Sequence, residues 1–226
     1  MAGDDGADER LAAFYERRAA EEPADDPEAR LRFGKAVAAA ALRRGERVLD
    51  VGAKWGGLAS RLPAGVAYTG LDLSEENVRR AAAAGLDMRR ADVGGRLPVG
   101  DAAYDCVFAL ELLEHLTAPL ALLEEMRRVL TAAGRAVVSV PSPYSWVEVY
   151  RELAGRHDPE GHLNAFTTPV LTNVAALAGF RVERRLGTSF RIPRTTRLVA
   201  TDSILSRSRI YVLRPSDRVV FAGREL

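Results

Sequence analysis

The chain has 226 residues, enough for one domain with a well-buried core, and its formal net charge of +1 argues neither for nor against an acidic partner such as nucleic acid. Its single cysteine excludes an intrachain disulfide, which fits a reducing cytoplasm. The acidic N-terminus lacks the apolar segment of a signal peptide, and no stretch approaches the ~20 apolar residues that cross a bilayer, so we expect a cytoplasmic protein without a membrane partner.

The predicted elements begin with an N-terminal helical arm, residues 1–44. Residues 7–20 and 28–43 show helical patterns and are joined by an acidic linker. In the main domain, residues 45–226, strand-like runs alternate with helical patterns. The expected strands are residues 47–51, 67–72, 88–92, 105–110 and 135–140, and the expected helices among them are residues 56–62, 75–84 and 117–130. This alternation indicates right-handed βαβ units and a parallel sheet covered by helices on both faces.

The C-terminal part of the main domain has a different pattern. A helix over residues 168–178 is followed by two more expected strands, at residues 180–188 and 209–213. Two long segments without a regular pattern, residues 141–166 and 189–208, remain. We expect them to act as lids over the carboxyl ends of the strands, where ligands bind in sheets of this kind.

Residues 47–57, Arg-Val-Leu-Asp-Val-Gly-Ala-Lys-Trp-Gly-Gly, are the most informative stretch of the chain. An apolar run ends in an acid, the chain turns at Gly52, and a helical pattern follows. A strand that delivers a glycine-rich turn onto a helix start places backbone N–H groups and a positive dipole end where a nucleotide-like ligand binds. Asp72 follows Gly52 by 20 residues, which is the spacing of a carboxylate that accepts hydrogen bonds from both hydroxyls of a ribose. This half of the chain therefore predicts a nucleoside-cofactor site.

The glycine pattern separates two kinds of nucleoside cofactor. A dinucleotide site requires G-x-G-x-x-G so that a pyrophosphate can approach the backbone, and here Lys54 stands at the second glycine position, where its side chain obstructs that approach. Gly52, Lys54 and Gly56 fit a G-x-G-x-G pattern whose middle glycine is replaced. That pattern belongs to S-adenosylmethionine sites, in which a neutral nucleoside and an amino-acid tail pass the turn.

Several segments support this interpretation by their order along the chain. They are Val-Leu-Asp-Val-Gly (48–52), Thr-Gly-Leu-Asp-Leu-Ser (69–74), Ala-Asp-Val (91–93), residues 97–116 with Glu-Leu-Leu-Glu-His, residues 127–141, Gly-His-Leu-Asn-Ala-Phe-Thr (161–167) and Ala-Gly-Phe-Arg-Val (178–182). In this order they resemble the class I S-adenosylmethionine-dependent methyltransferases, especially the small-molecule branch, over about residues 45–215. Lys54 departs from the family pattern. The resemblance implies a Rossmann-like α/β fold with a seven-stranded, mostly parallel sheet in the order 3-2-1-4-5-7-6, whose last strand is antiparallel.

The resemblance also implies which residues hold the cofactor. They are Asp50, Gly52, Ala53, Lys54 and Gly56 around the methionine end, Asp72 and Leu73 at the ribose, Asp92 and Val93 at the adenine, Leu110 and Glu111 beside the sulfonium, and Tyr15, which would close over the cofactor. The alternative role of Asp72 is to cap the following helix, although Ser74 already stands at the N-cap position. The alternative role of Asp92 is to stabilise a turn through its side chain. Lys54 either faces solvent or pairs with the cofactor's carboxylate. Tyr15 is alternatively an exposed aromatic residue on an amphipathic helix.

The histidines are the candidate catalytic bases, because only histidine titrates near neutral pH without perturbation. His115 follows the fourth expected strand, and His162 lies in a segment expected to cover the acceptor. His157, in the same segment, is the weaker candidate. His157, Asp158, Glu160 and His162 also suggest a metal cluster, but side chains of a flexible loop rarely converge without a dedicated scaffold, so we expect no metal.

Three other functions remain open. A nucleic-acid (tRNA or rRNA) methyltransferase usually has an Asn/Asp-Pro-Pro-Tyr turn after the fourth strand, whereas residues 109–112 are Ala-Leu-Glu-Leu. A nicotinamide-dependent oxidoreductase requires the missing G-x-G-x-x-G, and a non-catalytic relative would explain the altered turn at Lys54. The favoured function is methyl transfer from S-adenosylmethionine to an oxygen or nitrogen atom of a small metabolite, natural product or sugar-containing acceptor. A nucleic-acid partner is disfavoured, and a homodimer stays open.

Overall fold

A computed structural model describes residues 10, 13–19, 26–192, 195, 197–218, 220–221 and 223–225. The N-terminal arm contains helix α1, whose continuous described part is residues 13–19, and helix α2, Pro27–Ala40. Apart from Arg10, the other residues of the predicted helix 7–20 lie outside the described part of the chain. Helix α2 begins where it does because the Asp26 carboxylate accepts a hydrogen bond from the backbone N–H of Glu28, while Pro27 suits the first helical position.

The main domain is built on a seven-stranded sheet. Its strands are β1 (Arg47–Val51), β2 (Ala67–Asp72), β3 (Met88–Arg90), β4 (Tyr104–Leu110), β5 (Leu130–Pro141), β6 (Phe180–Gly187) and β9 (Ser208–Pro215), in the spatial order β3-β2-β1-β4-β5-β9-β6. Strands β1 to β5 pair in parallel, whereas β9 runs antiparallel to both β5 and β6. Two separate hairpins are formed by β7 (Ser189–Arg191) with β8 (Leu198–Ala200) and by β10 (Val220–Phe221) with β11 (Arg224–Glu225).

The predicted fold class and strand order are confirmed. The seventh strand expected from the sequence is β9, because β7 and β8 precede it within residues 189–208. The register pairs Val51 with Leu71 of β2 and with Ala109 of β4, so these three strands end side by side. The loops that follow them therefore meet at one edge of the sheet.

Helices cover both faces of the sheet. Besides α2 they are α3 (Glu75–Ala83), α4 (Pro119–Val129) and α6 (Thr168–Leu177), with 3-10 turns at Gly57–Arg61 and Leu113–His115. Helix α5 (Trp146–Leu153) has no buried residue and does not belong to these layers. The Oγ atom of Ser74 accepts the backbone N–H of Asn77 and caps α3. Helix α4 begins two residues later than expected, because Pro119 is preorganised for the first helical position. No helix in the described part of the chain is long and apolar enough to cross a bilayer.

The two segments without a predicted pattern contain regular structure. Helix α5 lies within residues 141–166 and is capped by Ser145, whose Oγ accepts the backbone N–H of Glu148. Its valine, tyrosine and tryptophan side chains favour strands, which is why the pattern did not predict a helix there. None of its residues is buried. The β7–β8 hairpin lies within residues 189–208.

The core consists of an apolar layer on each face of the sheet and a small third cluster of Ala53, Ala81 and Met88. Leu49 and Val107 belong to the layer covered by α4 and α6, whereas their chain neighbours Val48 and Phe108 belong to the layer covered by α2. Burial of each such side chain contributes roughly 1.5–3 kcal/mol to stability. Cys106 is also fully buried in the second layer, and burial raises the pKa of its thiol to about 12, as suits a core residue.

Candidate cofactor and acceptor site

The turn after β1 has a left-handed backbone at all three positions of the glycine pattern. The φ angle is +71° at Gly52, +49° at Lys54 and +81° at Gly56. Glycine adopts this conformation freely, whereas a side chain at Lys54 costs roughly 1 kcal/mol. A Cβ atom at Gly52 would lie 3.0 Å from Cδ1 of Leu112, so this glycine also allows the loop after β4 to approach. The turn thus has a glycine-like backbone even where the sequence has lysine.

Asp72, at the end of β2, connects this turn to helix α3. Its Oδ2 accepts the backbone N–H of Lys54 at 2.7 Å, and its Oδ1 accepts the N–H of Ser74 at 2.9 Å and Nδ2 of Asn77 at 3.1 Å. Burial raises the pKa of this carboxyl, and the hydrogen bonds oppose the rise. Since a carboxylate has roughly four acceptor positions, Oδ2 is able to accept one further donor.

Asp50 and Ala53 are buried beside the same turn. The hydroxyl of Tyr68 donates a hydrogen bond to Asp50 Oδ2 at 3.1 Å. Burial raises the pKa of Asp50 to about 7, and the neighbouring Asp72 adds to the rise. A cation beside such a carboxyl would favour its ionised form, so this position suits a positively charged ligand group.

The residues expected at the adenine follow β3, and Leu73, expected at the ribose, follows β2. Asp92 is exposed, and its Oδ1 accepts the backbone N–H of Gly94 at 2.8 Å, as in an Asx turn. Val93 is buried in the core, and the carbonyl of Leu73 accepts Nε of Arg90 at 3.2 Å. The turn interpretation of Asp92 therefore has a contact to support it, and a role for Asp92 toward adenine stays a prediction.

Leu110 ends β4 at the same edge of the sheet, and Glu111 follows it. Leu110 is buried, and Glu111 has a φ angle of +53°. The Glu111 carboxylate accepts hydrogen bonds from the hydroxyls of Ser139 at 2.7 Å and Ser208 at 2.9 Å, and it lies 3.8 Å from Arg32. Its side chain is therefore bound to β5, β9 and α2.

Tyr15, His115 and His162 form one group although they are distant in sequence. Oη of Tyr15 lies 2.7 Å from Nδ1 of His115, and the ring centroids of His115 and His162 are 4.9 Å apart. Tyr15 is half-buried rather than exposed. Burial, followed by electrostatic interactions with His162 and Lys54, lowers the pKa of His115 to about 3, so this imidazole is neutral at pH 7. His157 is exposed.

Glu114 adjoins this group and received no role from the sequence pattern. It is only 1% exposed, and within the described chain neither its carboxylate oxygens nor Nε2 of His162 has a hydrogen-bond partner. Burial raises the pKa of Glu114 well above its usual range, and Glu111 adds to the rise. The Glu114 carbonyl accepts the N–H groups of Leu163 at 2.7 Å and Asn164 at 3.0 Å, which fastens the loop that carries His162. The adjacent Glu-His pair was the sequence signal for this residue.

An ion-pair network joins the N-terminal arm to the segments 141–166 and 189–208. The Arg207 guanidinium lies 3.3 Å from Glu28 of α2, 3.1 Å from Glu148 of α5 and 3.5 Å from Glu160. Arg18 of α1 lies 3.9 Å from Glu160. The arm, helix α5 and the loop beside His162 are thus held together by charge.

The aromatic residues of the lid have mixed surroundings. Nε1 of Trp146 donates to the carbonyl of Arg191 at 2.8 Å, which attaches α5 to the β7–β8 hairpin. Tyr144 and Tyr150 are exposed, and the Arg156 guanidinium stacks 5.3 Å from the Tyr150 ring. Trp146 therefore anchors α5 to the hairpin, and the two tyrosines present apolar surface to solvent.

Comparisons with known proteins agree with this architecture. A family model described as a methyltransferase domain matches residues 15–184. The chain is 36% identical over 118 residues to the 27-O-demethylrifamycin SV methyltransferase of Amycolatopsis mediterranei (strain S699). The matched stretch covers 45% of this chain and 42% of that protein. It is 32% identical over 139 residues to the ubiquinone biosynthesis O-methyltransferase of Xanthomonas oryzae pv. oryzae (strain PXO99A), and this match covers 55% of this chain and 58% of that protein. The matched part thus spans about half the length of these curated relatives.

Solved structures show the same fold. A SAM-dependent methyltransferase of Thermotoga maritima, named as a possible histamine N-methyltransferase, has a TM-score of 0.69 at 18% identity and covers 92% of this chain and 98% of its own. A SAM-dependent methyltransferase of Aquifex aeolicus has a TM-score of 0.61 at 19% identity, with 84% and 93% covered. The family match covers more than half of the chain and includes the turn after β1, Asp72 and the strand edges. The chain therefore belongs to the methyltransferase domain family, and its fold is that of solved S-adenosylmethionine-dependent methyltransferases.

Proposed function

We propose that this protein transfers the methyl group of S-adenosylmethionine to an oxygen or nitrogen atom of a small-molecule, natural-product or sugar-containing acceptor. The observation that carries the proposal is the 2.7 Å hydrogen bond from the backbone N–H of Lys54 to Asp72 Oδ2. It holds the left-handed turn against the carboxylate expected at the ribose, at the edge of the sheet where His115 also lies. A nucleoside with an amino-acid tail needs a turn and an acid placed in this way.

The buried acids suit the two ends of S-adenosylmethionine. We assign Asp50 to the ammonium of the methionine part, because a neighbouring cation offsets the cost of ionising a buried carboxyl. We assign the remaining acceptor position of Asp72 Oδ2 to a ribose hydroxyl, and the Lys54 ammonium to the cofactor's carboxylate. The Glu111 carboxylate is already held by two serine hydroxyls, so we assign only its backbone to the region of the sulfonium. The cofactor supplies the activated methyl group, and the protein binds it and orients the acceptor.

We also propose that residues 1–44 act as a cap on the main domain, residues 45–226. The contact of Tyr15 with His115 and the pairing of Glu28 with Arg207 support this assignment, because both connect the arm to the edge of the sheet or to the lid. Tyr15 would then close the cofactor and acceptor site from the side of the arm.

The relatives support oxygen as the first acceptor atom to test. One relative is named as a 27-O-demethylrifamycin SV methyltransferase, and another is named as a ubiquinone biosynthesis O-methyltransferase. His115 and His162 are the residues that we place against the acceptor. With its pKa lowered to about 3, His115 accepts a hydrogen bond from a hydroxyl at neutral pH more readily than a proton, so we assign it to positioning the acceptor oxygen.

The test is transfer of an isotopically labelled methyl group from S-adenosylmethionine to a panel of phenols, catechols, hydroxylated macrocycles, sugars and amines. We expect one S-adenosylhomocysteine for each methyl group found by mass spectrometry on a small acceptor, and loss of transfer in the Asp72→Ala variant. Label on tRNA or rRNA instead of the small molecules would contradict the proposal, as would failure of the protein to bind S-adenosylmethionine.

A further inference from the structure

Glu114, His115 and His162 bring three metal-binding side chains together. One ligand atom from each side chain lies within 4.8 Å of the other two. Two of these residues stand on the 3-10 turn Leu113–His115, and the third stands on a loop that the Glu114 carbonyl holds through two backbone hydrogen bonds. A scaffold for convergence is therefore present, unlike in an isolated flexible loop.

Buried polar atoms in this group lack the partners that such atoms normally have. The Glu114 side chain is 1% exposed, and neither of its oxygens has a hydrogen-bond partner among the described residues. Nε2 of His162 is buried and lacks one in the same way. Since buried carboxylates in proteins are paired, hydrogen-bonded or bound to metals, this arrangement points to a cation between the three side chains.

The outer contacts of the two histidines are those of metal ligands. Oδ2 of Asp158 lies 2.8 Å from Nδ1 of His162, so in a neutral imidazole this nitrogen donates to the carboxylate and Nε2 carries the lone pair. Oη of Tyr15 is hydrogen-bonded to Nδ1 of His115 at 2.7 Å, so Nε2 is the nitrogen of that ring that is available to a cation. A carboxylate or hydroxyl on the far nitrogen fixes the tautomer and orientation of metal-binding histidines. Glu160 Oε2, 3.6 Å from His162 Nε2, adds a further negative charge beside the group.

We propose that Glu114, His115 and His162 bind one divalent first-row transition cation, and we choose zinc as the probe. Two imidazole nitrogens and one carboxylate oxygen suit zinc or non-haem iron, whereas magnesium and calcium take oxygen ligands. At metal–ligand distances of roughly 2.0–2.1 Å, the ligand atoms of a tetrahedral site are about 3.3 Å apart. The side chains therefore approach one another on binding from their present separations of up to 4.8 Å. Three protein ligands leave one position for water or an acceptor oxygen in a tetrahedral site, and two positions when the site expands to five ligands.

The role of the cation rests on the proposed function and narrows its acceptor class. Nε2 of His115 then positions the acceptor oxygen through the cation instead of accepting a hydrogen bond from it directly. In transfer to a hydroxyl, the acceptor oxygen bonds to the methyl carbon while the carbon–sulfur bond of the cofactor breaks, and the hydroxyl proton passes to water. A cation on the acceptor oxygen lowers the pKa of that hydroxyl and orients it. The favoured acceptors are therefore phenols or alcohols with a second oxygen nearby, because two oxygens bind a cation better than one.

The experiment measures cation binding directly, independently of activity. The protein is treated with a chelator, freed of it, and titrated with zinc by calorimetry, and cobalt is added separately to record the visible absorption of a tetrahedral site. We expect one zinc ion per chain in the wild type, at least 100-fold weaker binding in His162→Gln and Glu114→Gln, and wild-type binding in His157→Gln. His157 is the matched control because it is exposed and is the chain's only other histidine.

Binding of S-adenosylhomocysteine by each variant shows that its fold is intact and separates the two proposals. Zinc binding by the wild type that is no tighter than in His162→Gln, with S-adenosylhomocysteine still bound, would overturn the metal site and leave the proposed function standing. Equal loss of zinc binding in His157→Gln would also overturn it. Specific zinc binding without any binding of S-adenosylhomocysteine would contradict the proposed function and leave the metal site standing.

Discussion

Lys54 has the backbone conformation of a glycine, with a φ angle of +49°. Replacing it with glycine removes the steric cost, whereas replacing it with alanine keeps that cost and removes only the long side chain. We therefore expect Lys54→Gly to have a free energy of unfolding about 1 kcal/mol higher than Lys54→Ala in urea denaturation.

The same pair of variants tests the charge of Lys54. If its ammonium pairs with the cofactor's carboxylate, both variants bind S-adenosylhomocysteine about tenfold more weakly than the wild type, which is about 1.4 kcal/mol. Calorimetry that finds wild-type affinity in both would show that the lysine serves only as a residue of the turn.

Asp50 makes stability depend on pH in a defined window. Its pKa is raised to about 7 in the folded protein, whereas an unfolded aspartate ionises near pH 3.9. The stabilisation that the protonated carboxyl gives is complete below about pH 4 and is lost as the pH rises through about 7. Asn at this position keeps the neutral form, so the free energy of unfolding of the wild type should fall relative to Asp50→Asn between these pH values. A difference that stays constant with pH in urea denaturation would contradict the raised pKa.

At the scale of elements, Arg207 connects α2, α5 and the loop beside His162. Its removal in Arg207→Met leaves Glu28, Glu148 and Glu160 with other arginines nearby, so we expect a moderate loss of about 1–2 kcal/mol in the free energy of unfolding. Backbone amides of α5 should also exchange hydrogen faster, because α5 has no buried residue of its own.

The matched control for this network is Arg218→Met, which breaks the exposed pair with Glu225. Exposed pairs contribute little, so the control should leave the free energy of unfolding close to that of the wild type. Equal effects of the two substitutions would show that the network does not fasten the lid.

At the scale of the whole molecule, the sheet was predictable and the acceptor side was not. Buried parallel strands are continuous apolar runs bounded by glycine and acids, and β1 and β2 have the expected bounds. Helix α5 was not predicted, because its side chains favour strands while its start is set by the Ser145 cap. The approach of His162 to Glu114 depends on loop packing between distant parts of the chain, and no local pattern contains it.

The cofactor side of the site shows the same division. The left-handed turn and Asp72 follow from spacing and glycine placement, which are local. The contacts of Glu111 with Ser139 and Ser208 require the pairing of β5 with β4 and β9, so the sequence placed this side chain by analogy alone. Residue types predict the elements, and tertiary pairing decides where their side chains lie.

The most direct test of the central claim is calorimetry of S-adenosylmethionine and S-adenosylhomocysteine with the wild type, Asp72→Ala and Asp217→Ala. We expect micromolar binding to the wild type, about −8 kcal/mol, and a loss of at least 100-fold in Asp72→Ala. Asp217→Ala is the control because that carboxylate is fully exposed, and it should bind as the wild type does. NADH should not bind. Failure of the wild type to bind either sulfur nucleoside, or equal binding by Asp72→Ala, would contradict the account.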